Sequence, residues 1–258
     1  MAMGVPQMAY DRATIIFSPD GDLYQVRYAF EAVKRGWTSV GIRGKDFVIL
    51  AAEKRKLQPL LDLDDIEKIY KVDEHVGVAF AGMGSDGRIL IDVARMEAVR
   101  HRLLYGEPAT VDYIAKRIAD IKQVYTQHGG VRPFGVALIF GGVNPDGKPR
   151  LLRTDPGGQY FSYYAIAIGI SEVYVNEYFE KNYKEDMSLD NAVKMVLKAL
   201  FQSRTRQGDV KPDALIKEFS KMVEIGYITS ETKKFEKMEE ARVKEIVDEI
   251  APELLGKQ

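Results

Sequence analysis

The sequence predicts an α+β fold, a four-layer αββα sandwich in which two antiparallel β-sheets lie between outer layers of helices. Strand-like segments follow one another as hairpins, and helical segments come in pairs between those hairpins. The strands "FVILAA" (47–52) and "VALIF" (136–140) are apolar throughout, which is typical of strands covered on both faces. Because the 258-residue chain shows neither a linker nor a repeat, we expect one domain over residues 1–258.

The first predicted helix covers residues 22–35 and follows the turn sequence "FSPDGD". Asp22 is the expected N-cap, with Gln25 at capping-box spacing, and apolar residues then recur at helical intervals. Gly36 is expected to end this helix as a C′ glycine. Four strands are then predicted, at 37–42, 47–52, 69–72 and 75–81.

Two long helices come next, and the remaining strands and helices follow them. The first long helix begins at Ser85, and its predicted apolar face consists of Ile89, Val93, Met96 and Leu103. The second is N-capped by Thr110, and its apolar stripe consists of Ile114, Ile118, Ile121 and Tyr125. Further strands are predicted at 134–143, 149–154, 160–169, 222–229 and 233–238. Further helices are predicted at 173–183 and 189–205, and a charged terminal helix at 239–255.

The composition excludes several classes of function. The formal net charge is -1, so no excess of basic residues favours a nucleic-acid or membrane partner. The absence of cysteine excludes disulfides, cysteine nucleophiles and thiolate metal sites, and the three histidines are not at ligand spacing. No segment resembles a signal peptide or a membrane span. We therefore expect a cytoplasmic protein without a metal or cofactor.

The loop "GMGSDG" (82–87) matches the G-x-G-x-x-G pattern between a strand and a helix, as in dinucleotide-binding enzymes. That fingerprint also requires a parallel strand after the helix, with an acidic residue near its end. Here a second helix follows instead. The other interpretation is a tight strand-to-helix turn, with Ser85 or Asp86 capping the helix.

Several strings occur in a distinctive order along the chain: Tyr10-Asp11-Arg12, "FSPDGDLYQVRYAFEAVKRGWTSVGI", "DIEKI", "YTQHGGVRPFG" and "TDP". Together they resemble archaeal-type proteasome α subunits, and the resemblance covers nearly the whole chain. The resemblance implies the sandwich fold of N-terminal-nucleophile hydrolases. It also implies a homo-heptameric α ring that caps proteolytic β subunits, controls the passage of unfolded substrates and docks the C-terminal tails of regulatory AAA ATPases.

In the related β subunits, the catalytic threonine follows a glycine, and Gly36-Trp37 takes that place here. Trp37 has no nucleophilic group. Thr38 is expected to point away from Glu53 and Lys68, which fall where β subunits keep an acidic residue and a lysine. We therefore expect no catalytic residue in this chain. A catalytic threonine peptidase of the β type is the alternative, and the residue after Gly36 discriminates against it.

The resemblance also assigns binding roles to individual residues. Residues 1–11 match the mobile gate segment, and the residues that hold the gate open match Tyr10, Asp11, Arg12, Pro19 and Tyr28. Lys68 matches the lysine that accepts the C-terminal carboxylate of an activator, in a pocket that matches Gly36, Gly82 and Met83. The constriction below the gate matches His128, Gly129 and Gly130.

Two residues depart from the family pattern. Arg27 stands where the family usually has an acidic residue, on the helix assigned to the activator site. Its reversed charge either strengthens carboxylate binding or removes a family ion pair. His128 stands where tyrosine is usual, which suggests a wider or pH-sensitive constriction, and neutral drift is the alternative for both residues.

Overall fold

Two five-stranded antiparallel sheets form the centre of the protein, in a computed structural model that describes residues 16–56, 58, 60–63, 65–208 and 210–256. The strands are β1 Ser39–Arg43, β2 Phe47–Glu53, β3 Ile69–Asp73, β4 Val76–Gly82, β5 Val136–Val143, β6 Pro149–Thr154, β7 Tyr160–Ser162, β8 Ala165–Ile168, β9 Val223–Thr229 and β10 Glu236–Lys237. The strand orders are β10-β9-β2-β1-β8 and β3-β4-β5-β6-β7. All pairs are antiparallel, which confirms the predicted sheets.

Helices cover both outer faces of these sheets. They are α1 Tyr24–Arg35, α2 Gly84–Tyr105, α3 Val111–Thr126, α4 Glu172–Asn182, α5 Leu189–Arg206, α6 Pro212–Glu218 and α7 Glu240–Leu254. One apolar cluster joins the first sheet to α4, α5 and α7, and a second joins the other sheet to α2 and α3. A third lies between the sheets and includes Leu50, Ile139 and Leu151. The four-layer arrangement is confirmed.

Two local predictions fail, and two short elements were not predicted. The single strand predicted at 160–169 is two strands, because β7 ends one sheet and β8 ends the other. The short α6, with Pro212 in its first turn, and a 3-10 turn at Phe219–Met222 were not predicted. Asp22 is not the N-cap of α1, since Leu23 occupies that position without a side-chain hydrogen bond. The Asp22 carboxylate instead accepts a hydrogen bond from Arg27 at 3.1 Å.

The apolar face of α2 differs from the predicted face. The residues that pack into the core are Leu90, Ile91, Ala94 and Ala98. Met96 and Leu103 are 62% and 81% exposed, and Ile89 is also exposed. The prediction fails because α2 carries two apolar faces, and periodicity alone does not say which one meets the sheet. For α3, by contrast, the predicted Thr110 cap is confirmed, with Tyr113 N–H donating to its Oγ1 at 3.1 Å.

The charged terminal helix is confirmed and packs tightly on α5. Its buried side chains are Val243, Ile246, Val247 and Ile250. Two lysines of α5 form ion pairs with its carboxylates, Lys194 with Glu249 and Lys198 with Glu253. The helix therefore completes one outer layer of the sandwich.

Candidate functional site

Trp37 lies two residues before β1, and its indole faces Lys68. Ser39, two residues further on and therefore on the same face as Trp37, donates its hydroxyl to the carbonyl of Phe80 in the other sheet, at 2.6 Å. The indole of Trp37 lies in the same region, with its ring centroid 5.9 Å from Nζ of Lys68. The Lys68 ammonium donates to the Trp37 carbonyl at 2.9 Å. An indole and a backbone carbonyl therefore face the lysine where a nucleophile would be needed.

Thr38 lies on the opposite face of the strand from Trp37, together with Glu53. In the β1–β2 pair, Ser39 lies opposite Ala52. The Glu53 N–H also donates to the Thr38 carbonyl, which places Thr38 opposite Glu53. Opposite residues of an antiparallel pair project from the same face. The prediction that Thr38 points away from Lys68 is consistent with this alternation, but the prediction that it points away from Glu53 is wrong. Thr38 is fully buried, so its hydroxyl is inaccessible to a substrate.

Glu53 belongs to a buried polar chain that leads toward α5. Its Oε2 accepts from Arg55 at 3.0 Å, and Arg55 also donates to the side chain of Gln207 at 2.8 Å. Gln207 in turn donates to the Ser171 hydroxyl at 2.8 Å. Glu53 is thus bonded to arginine, and no hydrogen bond joins it to Lys68 among the contacts of the described residues.

Lys68 is only 5% exposed and is held against aromatic rings. Its Nζ lies 4.9 Å from the centroid of Phe80, in addition to Trp37, and its backbone N–H donates to Glu224 at 2.8 Å. Burial lowers the pKa of Lys68 to about 7, although the carboxylates of Glu53 and Glu224 oppose the effect. The amine can therefore exchange a proton near neutral pH.

Two of the predicted walls of the activator pocket, Gly36 and Gly82, contact each other, and Gly36 directly precedes Trp37, whose carbonyl accepts from Lys68. Gly36 has an extended backbone with φ -70°, so the expectation that it acts as a C′ glycine is wrong. Glycine is required because a Cβ there would lie 2.1 Å from the backbone nitrogen of Gly82. Gly82 has φ +110° and would place a Cβ 2.2 Å from the carbonyl oxygen of Gly135. Met83 follows and is 41% exposed.

Arg27 lies at the other end of α1 from this pocket. Nine residues separate it from Gly36, which corresponds to roughly 13 Å along a helix. Its guanidinium pairs with Asp22 at 3.1 Å and lies 5.9 Å from the centroid of Tyr24. The structure therefore does not bring Arg27 to Lys68.

The described residues assigned to the gate and to the constriction are exposed. Pro19 and Tyr28 are exposed, and the Tyr28 ring contacts Tyr24 at a centroid distance of 6.4 Å. Tyr10, Asp11 and Arg12, with the rest of segment 1–11, lie outside the described residues. His128, Gly129 and Gly130 belong to the exposed loop 127–135 that joins α3 to β5, where Gly130 has φ +85°.

The carboxylate of Asp86 in the loop "GMGSDG" is hydrogen-bonded to other residues of the protein. Asp86, in the first turn of α2, accepts two hydrogen bonds from Arg132, at 2.6 and 2.8 Å, and one from Gly135 N–H at 2.9 Å. The preceding strand β4 pairs antiparallel with both neighbours, and α3 follows α2. This geometry supports the tight-turn interpretation and is unlike a dinucleotide-binding unit.

Sequence reasoning missed two polar features. The Asp86–Arg132 pair joins residues that are far apart in the sequence, so no local pattern announces it. Lys122 is fully buried, and its Nζ donates to the Val136 carbonyl at 3.0 Å and to the Thr154 hydroxyl at 2.9 Å. A signal for Lys122 exists, since it follows Ile118 by four residues on the apolar stripe of α3.

Comparison with known proteins identifies the family. Residues 10–32 match the model of the N-terminal signature of α-type proteasome subunits, and residues 33–213 match the general model of proteasome subunits. The chain belongs to the proteasome α subunit family. It is 62% identical over 257 residues to the proteasome α subunit of Aeropyrum pernix, a match that covers 99% of each chain.

Proteasome α subunits from other archaea are also similar. The identity is 54% over 238 residues for Sulfolobus acidocaldarius and 53% over 238 residues for Saccharolobus islandicus, with 92% of this chain and 95% of each relative covered. Among the described residues of this family member, no helix combines the length and the apolar composition needed to cross a bilayer. Nor do these residues contain a group of three or more histidine or acidic side chains arranged to hold a metal ion.

Proposed function

We propose that this chain is a non-catalytic α subunit of a 20S-type proteasome core. In this proposal seven copies form the outer ring on the β subunits, control the passage of unfolded substrates and dock regulatory AAA ATPases. The observation that carries the non-catalytic role is Trp37, two residues before β1, facing Lys68. The family match supports ring formation on β subunits, control of substrate passage and docking, and the exposed apolar face of α2 supports assembly.

The absence of a nucleophile can be tested directly. Attack on a peptide bond requires a hydroxyl with a nearby base, and the groups that face Lys68 are the Trp37 indole and carbonyl. We expect no hydrolysis of fluorogenic peptides by the purified chain, and strong hydrolysis after assembly with β subunits. Hydrolysis by the chain alone that disappears in Thr38→Ala would support the catalytic alternative and refute this part of the proposal.

Assembly is supported by the exposed apolar face of α2, formed by Met96, Val99, Leu103 and Leu104. A contiguous apolar surface of this kind on a folded chain marks a protein contact. Electron microscopy of the chain with and without β subunits tests the ring. Seven-fold rings are expected, and a monomer under both conditions contradicts the proposal.

Docking is supported by the Lys68 ammonium, which donates to the Trp37 carbonyl next to Gly36, and by the contact of Gly36 with Gly82. A terminal carboxylate would add a charged acceptor for the ammonium, and such hydrogen bonds are worth roughly 1.5–3 kcal/mol. Lys68→Ala is expected to weaken binding of an ATPase tail peptide about tenfold or more, which corresponds to about 1.4 kcal/mol. Lys71→Ala is the control, because Lys71 lies on the adjacent strand and pairs with Glu74 at the surface. Equal binding by both variants refutes the docking site.

Gate control rests on residues 1–11, which lie outside the described part of the chain. Deleting this segment in the assembled particle is expected to raise the rate of peptide hydrolysis without an activator. An unchanged rate, in particles whose assembly is verified by microscopy, argues against the gate assignment.

A further inference from the structure

Three residues fasten the loop 127–135 to the start of α2. Both oxygens of the Asp86 carboxylate are bonded to Arg132, and Oδ2 also accepts from Gly135 N–H at 2.9 Å. Asp86 is buried, and its charge lies in the first turn of α2, where the helix dipole favours an anion. The fork-like pairing of arginine with a carboxylate fixes direction as well as distance. We call Asp86, Arg132 and Gly135 the bracket.

The pocket side of the bracket is in close contact with Met83. The backbone N–H of Met83 donates to the Gly135 carbonyl at 2.9 Å. The Met83 side chain covers the same glycine, since a Cβ on Gly135 would lie 2.9 Å from Sδ of Met83. Gly82 also packs against the Gly135 carbonyl. The Met83 side chain is partly exposed and can adapt, so the firm link is the backbone one: a displacement of the Met83 backbone is passed to Gly135 through this hydrogen bond and through Gly82.

The loop side of the bracket has few other attachments. Arg132 follows Gly130 by two residues, and the tip of the loop is closed by a weak hydrogen bond from Val131 N–H to the His128 carbonyl at 3.4 Å. A Cβ on Gly129 or Gly130 would meet no atom within 4 Å. The Asp86–Arg132 pair is therefore the strong polar contact next to the tip of the loop.

We propose that the bracket couples occupancy of the pocket beside Lys68 to the position of the loop that carries His128, Gly129 and Gly130. The inference rests on the proposed docking function and adds Asp86 and Arg132 as positioning residues. A ligand that displaces Met83 moves Gly135, and the bracket carries that movement to Arg132 and the loop. Coupling of this kind is reciprocal, so the state of the loop also affects ligand affinity.

The absence of native cysteine allows a clean test. Gln127→Cys places one nitroxide spin label on the loop of each α subunit, in a particle assembled with cysteine-free β subunits. The probe is an octapeptide with the C-terminal sequence of the regulatory ATPase, and its C-terminal amide serves as the blank. We expect the free carboxylate peptide to change the label spectrum and the amide to leave it unchanged.

The bracket is then broken in the labelled particle. Asp86→Asn and Arg132→Lys are expected to bind the peptide, because Lys68 is intact, but to lose the spectral change. Asp112→Asn is the matched control. It removes a similar carboxylate–arginine pair, Asp112 with Arg150, near the far end of β5, and is expected to keep the spectral change.

A second variant tests the bracket without any ligand. Gly135→Ala forces Met83 to shift and is expected to change the spectrum of the loop label in the ligand-free particle. Peptide binding with an unchanged label, or a full response in Asp86→Asn, overturns the coupling and leaves the docking site intact. Absence of Lys68-dependent peptide binding refutes the docking site, and the coupling with it.

Discussion

Replacement of Lys122 by methionine should change how stability depends on pH. Lys122 is fully buried in α3, and its Nζ donates to Val136 and Thr154 without a carboxylate partner. Burial lowers its pKa to about 7; Asp155 opposes this effect and Arg153 adds to it. The side chain therefore loses its proton in the folded protein well before it does in the unfolded chain.

The sign of the effect follows from proton linkage. Below pH 7 both states carry the charge, and the burial cost is fully present. Between pH 7 and the ordinary value of 10.5, the unfolded chain binds more protons, so stability rises with pH. With about 1.4 kcal/mol per pH unit, the full rise is on the order of 5 kcal/mol, of which about 3.5 kcal/mol falls between pH 7 and pH 10.

Guanidinium chloride unfolding at pH 7, 8.5 and 10, at one protein concentration, measures this difference. Wild-type protein should gain about 3.5 kcal/mol more than Lys122→Met over this range, since methionine cannot titrate. Lys116→Met is the control, because Lys116 lies exposed on the same helix and pairs with Asp120. If Lys122→Met keeps the wild-type pH dependence, Lys122 does not change its proton affinity on folding, and the reasoning is refuted.

Three further predictions concern the site and the caps. Gly36→Ala should lower the free energy of unfolding by more than about 2 kcal/mol, because its Cβ would overlap the Gly82 backbone, whereas Gly129→Ala, which meets no atom within 4 Å, should change it by less than about 0.5 kcal/mol. Binding of the ATPase tail peptide should weaken as pH rises above about 7, where Lys68 loses its proton, and titrations of Lys68→Arg should show no such trend. Thr110→Ala should cost about 1 kcal/mol in denaturant unfolding because α3 loses its cap, and an unchanged midpoint would contradict that role.

The layered fold was predictable because the strands and the turns that join them in hairpins can be recognised from short stretches of sequence. Hairpin turns and apolar strands such as 47–52 are short-range signals, and they gave both sheets correctly. The division of 160–169 was not predictable, since a chain that leaves one sheet for the other keeps its strand composition. The prediction of which face of α2 packs into the core failed for a related reason. An apolar face that stays exposed has the same periodicity as one that packs into the core.

The positions of the glycine and aromatic residues in the candidate site were predictable from the sequence. Its polar contacts were much less so. Gly36 and Gly82 do contact each other, although the reason for Gly36 is close backbone approach and not a helix cap, and their place in an activator pocket stays a prediction. The position of Arg27 was predictable from helix geometry, because the rise over nine positions puts it roughly 13 Å from Gly36, at the end of α1 where it pairs with Asp22. The burial of Lys68, by contrast, depends on rings from two sheets, which the sequence does not place together.

The same lysine can serve either chemistry or docking, and the residue at position 37 decides which one is possible. A lysine that shares a proton near neutral pH suits a hydrolase when a hydroxyl lies within hydrogen-bond reach. Here the backbone carbonyl of Trp37 accepts the hydrogen bond from the Lys68 ammonium, and the indole lies beside it. Both groups stabilise the cation, and neither is a nucleophile. The protonated amine then retains its affinity for an external carboxylate. In the proposed function, Trp37 therefore leaves Lys68 without a nucleophile to activate and available to an anion, within the same sandwich fold.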